Sequence, residues 1–148
     1  MTSPPAQART QREQPLATRL RMTILRVGRR LRLESAGSLA EGHLSVLSIL
    51  FAHGAMSPGE LAQREHVRPP SMTRTLQFLE QHEYIERRPD PSDRRCVVVD
   101  LSDQGREYIR ETRRRRDQWL QRRLASLTRE ERHILSQAEK ILHAVVSE

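Results

Sequence analysis

The chain has 148 residues, enough for one domain with a real core and too few for two independent ones. Its single cysteine, Cys96, excludes an internal disulfide, and the first residues, MTSPPAQARTQREQP, hold no apolar run able to act as a secretion signal. A net charge of +7 favours a polyanionic partner over an acidic small substrate, and no stretch approaches the roughly 18 apolar residues of a membrane span, so a soluble, cytoplasmic protein without membrane contact is expected.

Residues 1–15, rich in Pro, Gln, Arg and Thr, bury too little surface to offset the entropy of ordering; a flexible tail is expected there, followed by a single domain over 16–148. Leu16, Leu20, Ile24, Val27 and Leu31 recur at helical steps, giving a first helix of about five turns with arginines on its other faces. Gly37 and Ser38 break it. Leu44, Val46, Leu47, Ile49, Leu50 and Phe51 then make a buried helix that ends at Gly54. Ser57, Pro58 and Glu60 are a start signal for a short helix reaching about Glu65, because the hydroxyl caps, the proline sits at the first helical position and the carboxylate reaches back. Paired prolines, Pro69 and Pro70, open a fourth helix that runs to about His82. Ile85 to Arg88 and the β-branched run from Cys96 to Leu101 read as two strands around a polar loop, Pro89 to Arg95. Ser102 caps a long helix from Asp103 to about Leu124, and Thr128 with Glu131 starts a last helix ending near Val146.

Two helices joined by a few residues and followed at once by a charged hairpin define a winged helix-turn-helix, here over 41–101. The expected fold is therefore mainly α, with six helices and a small β-hairpin wing. In the helix from Pro70 to Gln81, Met72, Leu76 and Leu79 fall within an arc of about 60°, whereas Pro70, Thr73, Arg74, Gln77 and Gln81 cluster opposite. Such a polar face suits the major groove. Arg74 fits a bidentate pair with guanine, Gln77 addresses adenine, and Ser71 and Thr73 suit phosphates or thymine methyls. At the hairpin tip, Arg94 and Arg95 offer guanidinium groups to phosphates and narrow minor grooves, with Asp93 able to orient one of them.

The segment VRPPSMTRTLQFLEQHEYIERRPDPSDRRCVVVDLSDQG, from Val67 to Gly105, resembles the MarR family of bacterial transcription regulators, and the order of helices extends the resemblance from Leu16 over nearly the whole chain. The resemblance implies a homodimer in which 16–36 and 103–148 form the dimerisation region. The residues agree with this. Leu16, Leu20 and Ile24 on the first helix, with Leu135, Leu142 and Val145 on the last, offer more apolar surface than a small winged module covers alone. It further implies a ligand-responsive repressor that binds double-stranded DNA at an imperfect palindrome, with Arg94 or Arg95 entering the minor groove. A small acidic or aromatic effector would lie between the dimer helices and the winged module, near Arg26, Arg30 and His43.

Other signals carry less. Four arginines, Arg113 to Arg116, point in four directions beside Glu111 and Asp117, which reads as a solvated, ion-paired face. Cys96 lies on the wing, not on the first helix where oxidant-sensing relatives of the resembled family carry theirs, and the six histidines lack the spacing of a metal site, so neither metal nor cofactor is expected. No nucleophile elbow, phosphate loop or carboxylate dyad points to an enzyme. The competing reading is a non-specific architectural DNA-binding protein, for which charge would matter and the polar helix face would not.

Overall fold

The computed structural model describes residues 14–37 and 39–147; the expected N-terminal tail falls almost wholly outside the described residues. The described residues form six helices and one hairpin: α1 Leu16–Leu33, α2 Glu41–His53, α3 Pro58–Arg64, α4 Pro69–Gln81, β1 Ile85–Pro89, β2 Val97–Leu101, α5 Asp103–Ala125 and α6 Arg129–Val146. The mainly α architecture with a small wing is the one expected from the sequence.

Local chemistry accounts for the helix starts. Ser57 Oγ accepts the Glu60 N–H at 3.2 Å while the Glu60 carboxylate accepts the Ser57 N–H at 2.7 Å, and Thr128 and Glu131 repeat this reciprocal cap at 3.2 and 2.8 Å. At α4 no side chain caps. Pro69 and Pro70 occupy the first two helical positions, where a missing N–H leaves no bond unmade, so the paired prolines open the helix. The connection from α3 turns on His66, whose φ of 53° lies in the left-handed region and reverses the chain within three residues.

The hairpin is antiparallel, registered from Ile85 opposite Leu101 to Pro89 opposite Val97. Cys96, expected to begin the second strand, instead closes the turn: its N–H donates to the Asp93 carbonyl and its carbonyl accepts from Asp90, both at 2.9 Å. Met56 adds a short third rung, exchanging backbone hydrogen bonds of 3.1 and 2.9 Å with Val99.

The core sits wholly between Leu44 and Ile109. Leu47, Leu50, Leu61, Leu76, Leu79 and Val99 are shielded from water, so α2, α3, α4, the hairpin and the start of α5 close around one another. α5 enters this core tightly, since a Cβ at Gly105 would collide with the Tyr84 carbonyl. α1 and α6 bury no residue at all.

Candidate nucleic-acid interface

Helix α4 rests on the core through Met72, Leu76 and Leu79, all buried. Its opposite side leaves Pro70, Ser71, Thr73, Arg74, Gln77 and Gln81 exposed. Among the described residues, the Ser71, Arg74 and Gln77 side chains have no hydrogen-bond partner, so their donors and acceptors stand open to solvent. Thr73 differs: its hydroxyl donates to the Pro69 carbonyl at 3.0 Å, which leaves only its acceptor capacity free.

Beyond the hairpin strands, Asp93 organises the wing tip. Its carboxylate accepts the Arg95 backbone N–H at 3.1 Å and the Arg95 Nε at 3.1 Å, and Cys96 Sγ lies 3.7 Å from it. The Arg95 guanidinium, with the Arg95 backbone N–H, holds the Asp93 carboxyl below its ordinary range; the Ser92 hydroxyl and N–H do the same for Asp90. Both acids therefore stay ionised at neutral pH. Arg95 is the arginine that Asp93 braces, and Arg94 has no partner among the described residues.

Ion pairs tie the wing to its neighbours in ways the sequence did not reveal. Arg87 Nε donates to Glu80 Oε2 on α4 at 3.0 Å, while the adjacent Arg88, facing the other side of the hairpin, donates to Asp100 Oδ2 at 2.8 Å. On the rear of α4, Phe78 is stacked between two imidazoles, with His43 and His82 rings each 4.1 Å from its centroid.

Leu16, Leu20, Ile24, Leu135, Leu142 and Val145, expected at a dimer seam, are all exposed in the protomer. So are Met22, Leu25 and Leu33, which extend the apolar surface of α1 beyond the stripe read from its sequence.

The three residues expected to share an effector pocket do not meet. Arg26 lines a concavity of about 310 Å³ formed by α1 alone, with Arg21 and Leu25 among its neighbours. His43 is committed to the Phe78 stack. Arg30 lines a separate concavity of about 410 Å³ with Glu34, Trp119, Arg122 and Arg123, where it pairs with Glu34 at 2.9 Å and lies 5.7 Å from the Trp119 ring. The Trp119 indole N–H is buried there without a partner. A third concavity, of about 430 Å³, lies against the root of α5, and its charged side chains, Glu107 and Glu111, are both acidic.

The arginine run on α5 is only half the ion-paired face expected. Arg114 and Arg115 both pair with Glu111 at 2.7 Å, and Arg114 first, then Arg115, lowers that carboxyl to about 2. Arg113 instead lies over the Phe51 ring at 4.4 Å, and Arg116 donates to Ser35 Oγ at 2.9 Å, so both fasten α5 to its neighbours. Among the described residues no His, Cys, Asp and Glu side chains group to hold a metal, and no described helix is long and apolar enough to cross a membrane.

Comparison with known proteins bears on this geometry. The family model described as the MarR family matches residues 39–97, the winged module. An uncharacterised HTH-type transcriptional regulator of Mycobacterium bovis is 43% identical over 134 residues, covering 90% of this chain and 94% of that protein. The HTH-type transcriptional repressor MdtR of Bacillus subtilis is 35% identical over 88 residues, 60% of this chain and 57% of its own. A solved structure of a transcriptional regulator protein from Pseudomonas aeruginosa superposes with a TM-score of 0.80 at 31% identity, covering 90% of this chain and 95% of that one.

Proposed function

The chain belongs to the MarR family of DNA-binding transcription regulators, and from that premise we propose that it is a sequence-specific, ligand-responsive repressor that binds a pseudo-palindromic operator as a homodimer. One observation supports the reading above the others. The exposed face of α4 presents Ser71, Arg74 and Gln77 with their polar groups unengaged, beside a wing whose Arg95 is held by Asp93 and whose Arg94 is open. A helix of this kind reads base edges from its N-terminal half while the wing tip reaches phosphates and the minor groove. Two such modules related by a two-fold axis would set their α4 helices about 34 Å apart, one turn of DNA.

The alternative of a non-specific architectural protein fits less well. Such a protein relies on surplus positive charge, yet residues 41–101 hold seven arginines against nine carboxylates. Binding by this module rests on a few well-placed guanidiniums in a background that repels DNA elsewhere.

A small acidic aromatic molecule remains the effector this reading favours, and its site moves to the α1–α5 junction. There Arg30, Arg122 and Arg123 surround Trp119, whose buried N–H lacks an acceptor. Glu34, already engaged by Arg30, is the one acid in that lining.

Arg74→Ala provides the test. Fluorescence anisotropy on the operator should show a loss of about 1–3 kcal/mol per half-site with relaxed preference at one base pair, and little change on random duplex. An equal loss on every sequence would return the protein to the architectural class.

A further inference from the structure

Among the described residues, Asp100 is the one charged side chain that is buried. It sits on β2 opposite Glu86, an acid facing an acid across the hairpin, which by itself is unfavourable. Two arginines compensate. Arg88 of β1 donates to Asp100 Oδ2 at 2.8 Å, and Arg106, in the first turn of α5, donates to Asp100 Oδ1 at 2.9 Å; the Leu101 N–H adds a third donor at 2.7 Å. Both guanidiniums keep partial contact with water, so the cluster's surplus positive charge stays solvated while its carboxylate does not.

These three residues join three elements. β1 is also fastened to α4, because Arg87 pairs with Glu80 on the opposite face. α5 is anchored at the same root: Ser102 Oγ donates to the Glu83 carbonyl at 2.5 Å and accepts the Gly105 N–H at 3.0 Å, and Gly105 lies against the Tyr84 carbonyl. From there α5 runs for 23 residues, roughly 34 Å, to the exposed apolar helices. A rigid lever thus ends in an ion cluster at the base of a two-stranded finger. Such a finger has few contacts of its own, so the orientation of its tip depends on what clamps its root.

We propose that Asp100, through Arg88 and Arg106, sets the angle of the wing relative to α5 and so acts as a positioning residue for Arg94 and Arg95 without touching DNA. The inference rests on the reading of the wing tip as a DNA contact. The position of α5 then reaches the wing through charge-assisted hydrogen bonds whose geometry is fixed by a buried carboxylate.

Asp100→Asn tests this, since it keeps the shape and removes the charge, and Arg106→Gln provides a second variant on a partly exposed helix position. Each should weaken operator binding about tenfold while oligomeric state stays unchanged and the protein stays folded at the assay temperature, with the melting temperature lowered more in Asp100→Asn than in Arg106→Gln. In an Arg94→Ala/Arg95→Ala background, either variant should add less than about twofold, because a tip without guanidiniums has nothing left to position. Cys96, exposed and the sole cysteine of the chain, offers an independent reading. A nitroxide attached there should become more mobile in both variants. Effects that multiply with those of the tip variant, or an unchanged nitroxide spectrum, would overturn the proposal. If the tip variant itself binds the operator like the wild type, the wing-contact reading falls instead, and the nitroxide spectrum alone decides whether Asp100 holds the wing.

Discussion

Leu47, Leu61 and Leu79 of the winged module are wholly shielded from water, whereas Ile141 and Val145 on α6 stay 66% and 67% exposed. Charge is divided the opposite way from what a DNA-binding module suggests. Residues 41–101 carry more carboxylates than arginines, while 16–36 and 102–147 carry seventeen basic side chains against eight acidic ones. The module is finished as a folding unit and frugal with charge; the helical arm is unfinished and basic. In the proposed complex, net charge would supply long-range attraction to the polyanion, and contact specificity would come from where single arginines are held. The arm's apolar faces are where the proposed homodimer would close, because isolated helices of this length gain most of their stability from packing.

Breaking the arm should have the largest effect. Ile141→Arg with Val145→Arg places two cations on a face that needs burial, and sedimentation should then find a monomer. Operator affinity should fall by about 10²–10⁴-fold, since the second half-site no longer binds as an intramolecular event. The winged module should melt unchanged, and a dimer that survived both charges would mean that α6 does not form the seam. Breaking the module comes next. Leu76→Ala removes a buried side chain at the back of α4 and should cost about 2–5 kcal/mol in denaturant unfolding. Leu16→Ala, at an exposed position of α1, should stay within about 0.5 kcal/mol when measured on the monomeric variant.

The same division decided what the sequence could disclose. Features written in neighbouring residues were legible: the capping pairs Ser57–Glu60 and Thr128–Glu131, the apolar face of Met72, Leu76 and Leu79, and the polar face opposite. Features that depend on register or on distant elements were not. Met56 pairs with Val99 as a single residue without periodicity, and Asp100 meets Arg106 only because Gly105 lets α5 start against Tyr84. Arg26 and Arg30 lie one helical turn apart, yet Arg30 turns to Glu34 and Trp119 while Arg26 lines a separate concavity on α1, a divergence that one-dimensional spacing does not carry. On α1, a stripe drawn through one face overlooked Met22 and Leu25, which lie outside its arc and are exposed as well.

A sharper probe acts where module meets arm. Gly105→Ala forces a methyl group into the Tyr84 carbonyl, and backbone on both sides leaves little room to yield. A loss of about 1–3 kcal/mol in thermal or chemical unfolding is expected, with α5 displaced from the wing root. A neutral outcome would show that this junction is loose and that module and arm are coupled less tightly than their packing suggests.

The smallest effect lies inside the module and is read by pH. His43 Nδ1 is buried without a hydrogen-bond partner and its ring stacks on Phe78, with His82 on the far side. Burial, and secondarily the charge of His82, holds the His43 pKa below its ordinary 6.5. The unfolded chain therefore takes up this proton first as pH falls. Stability contributed by the neutral ring is present above about pH 6.5 and is lost progressively as pH drops through the lower folded value. The carboxyls of Glu60, Asp90, Asp93 and Glu131, all shifted downward, act below about pH 4.5, which leaves the interval from about pH 5 to 7 to histidine. Urea midpoints should accordingly fall between pH 7.5 and 5 in the wild type and fall less in His43→Phe, which keeps a ring against Phe78 but cannot take a proton. Identical slopes in the two proteins would mean that His43 finds an acceptor on protonation, and that the rear of α4 is more open to rearrangement than the closed core beside it.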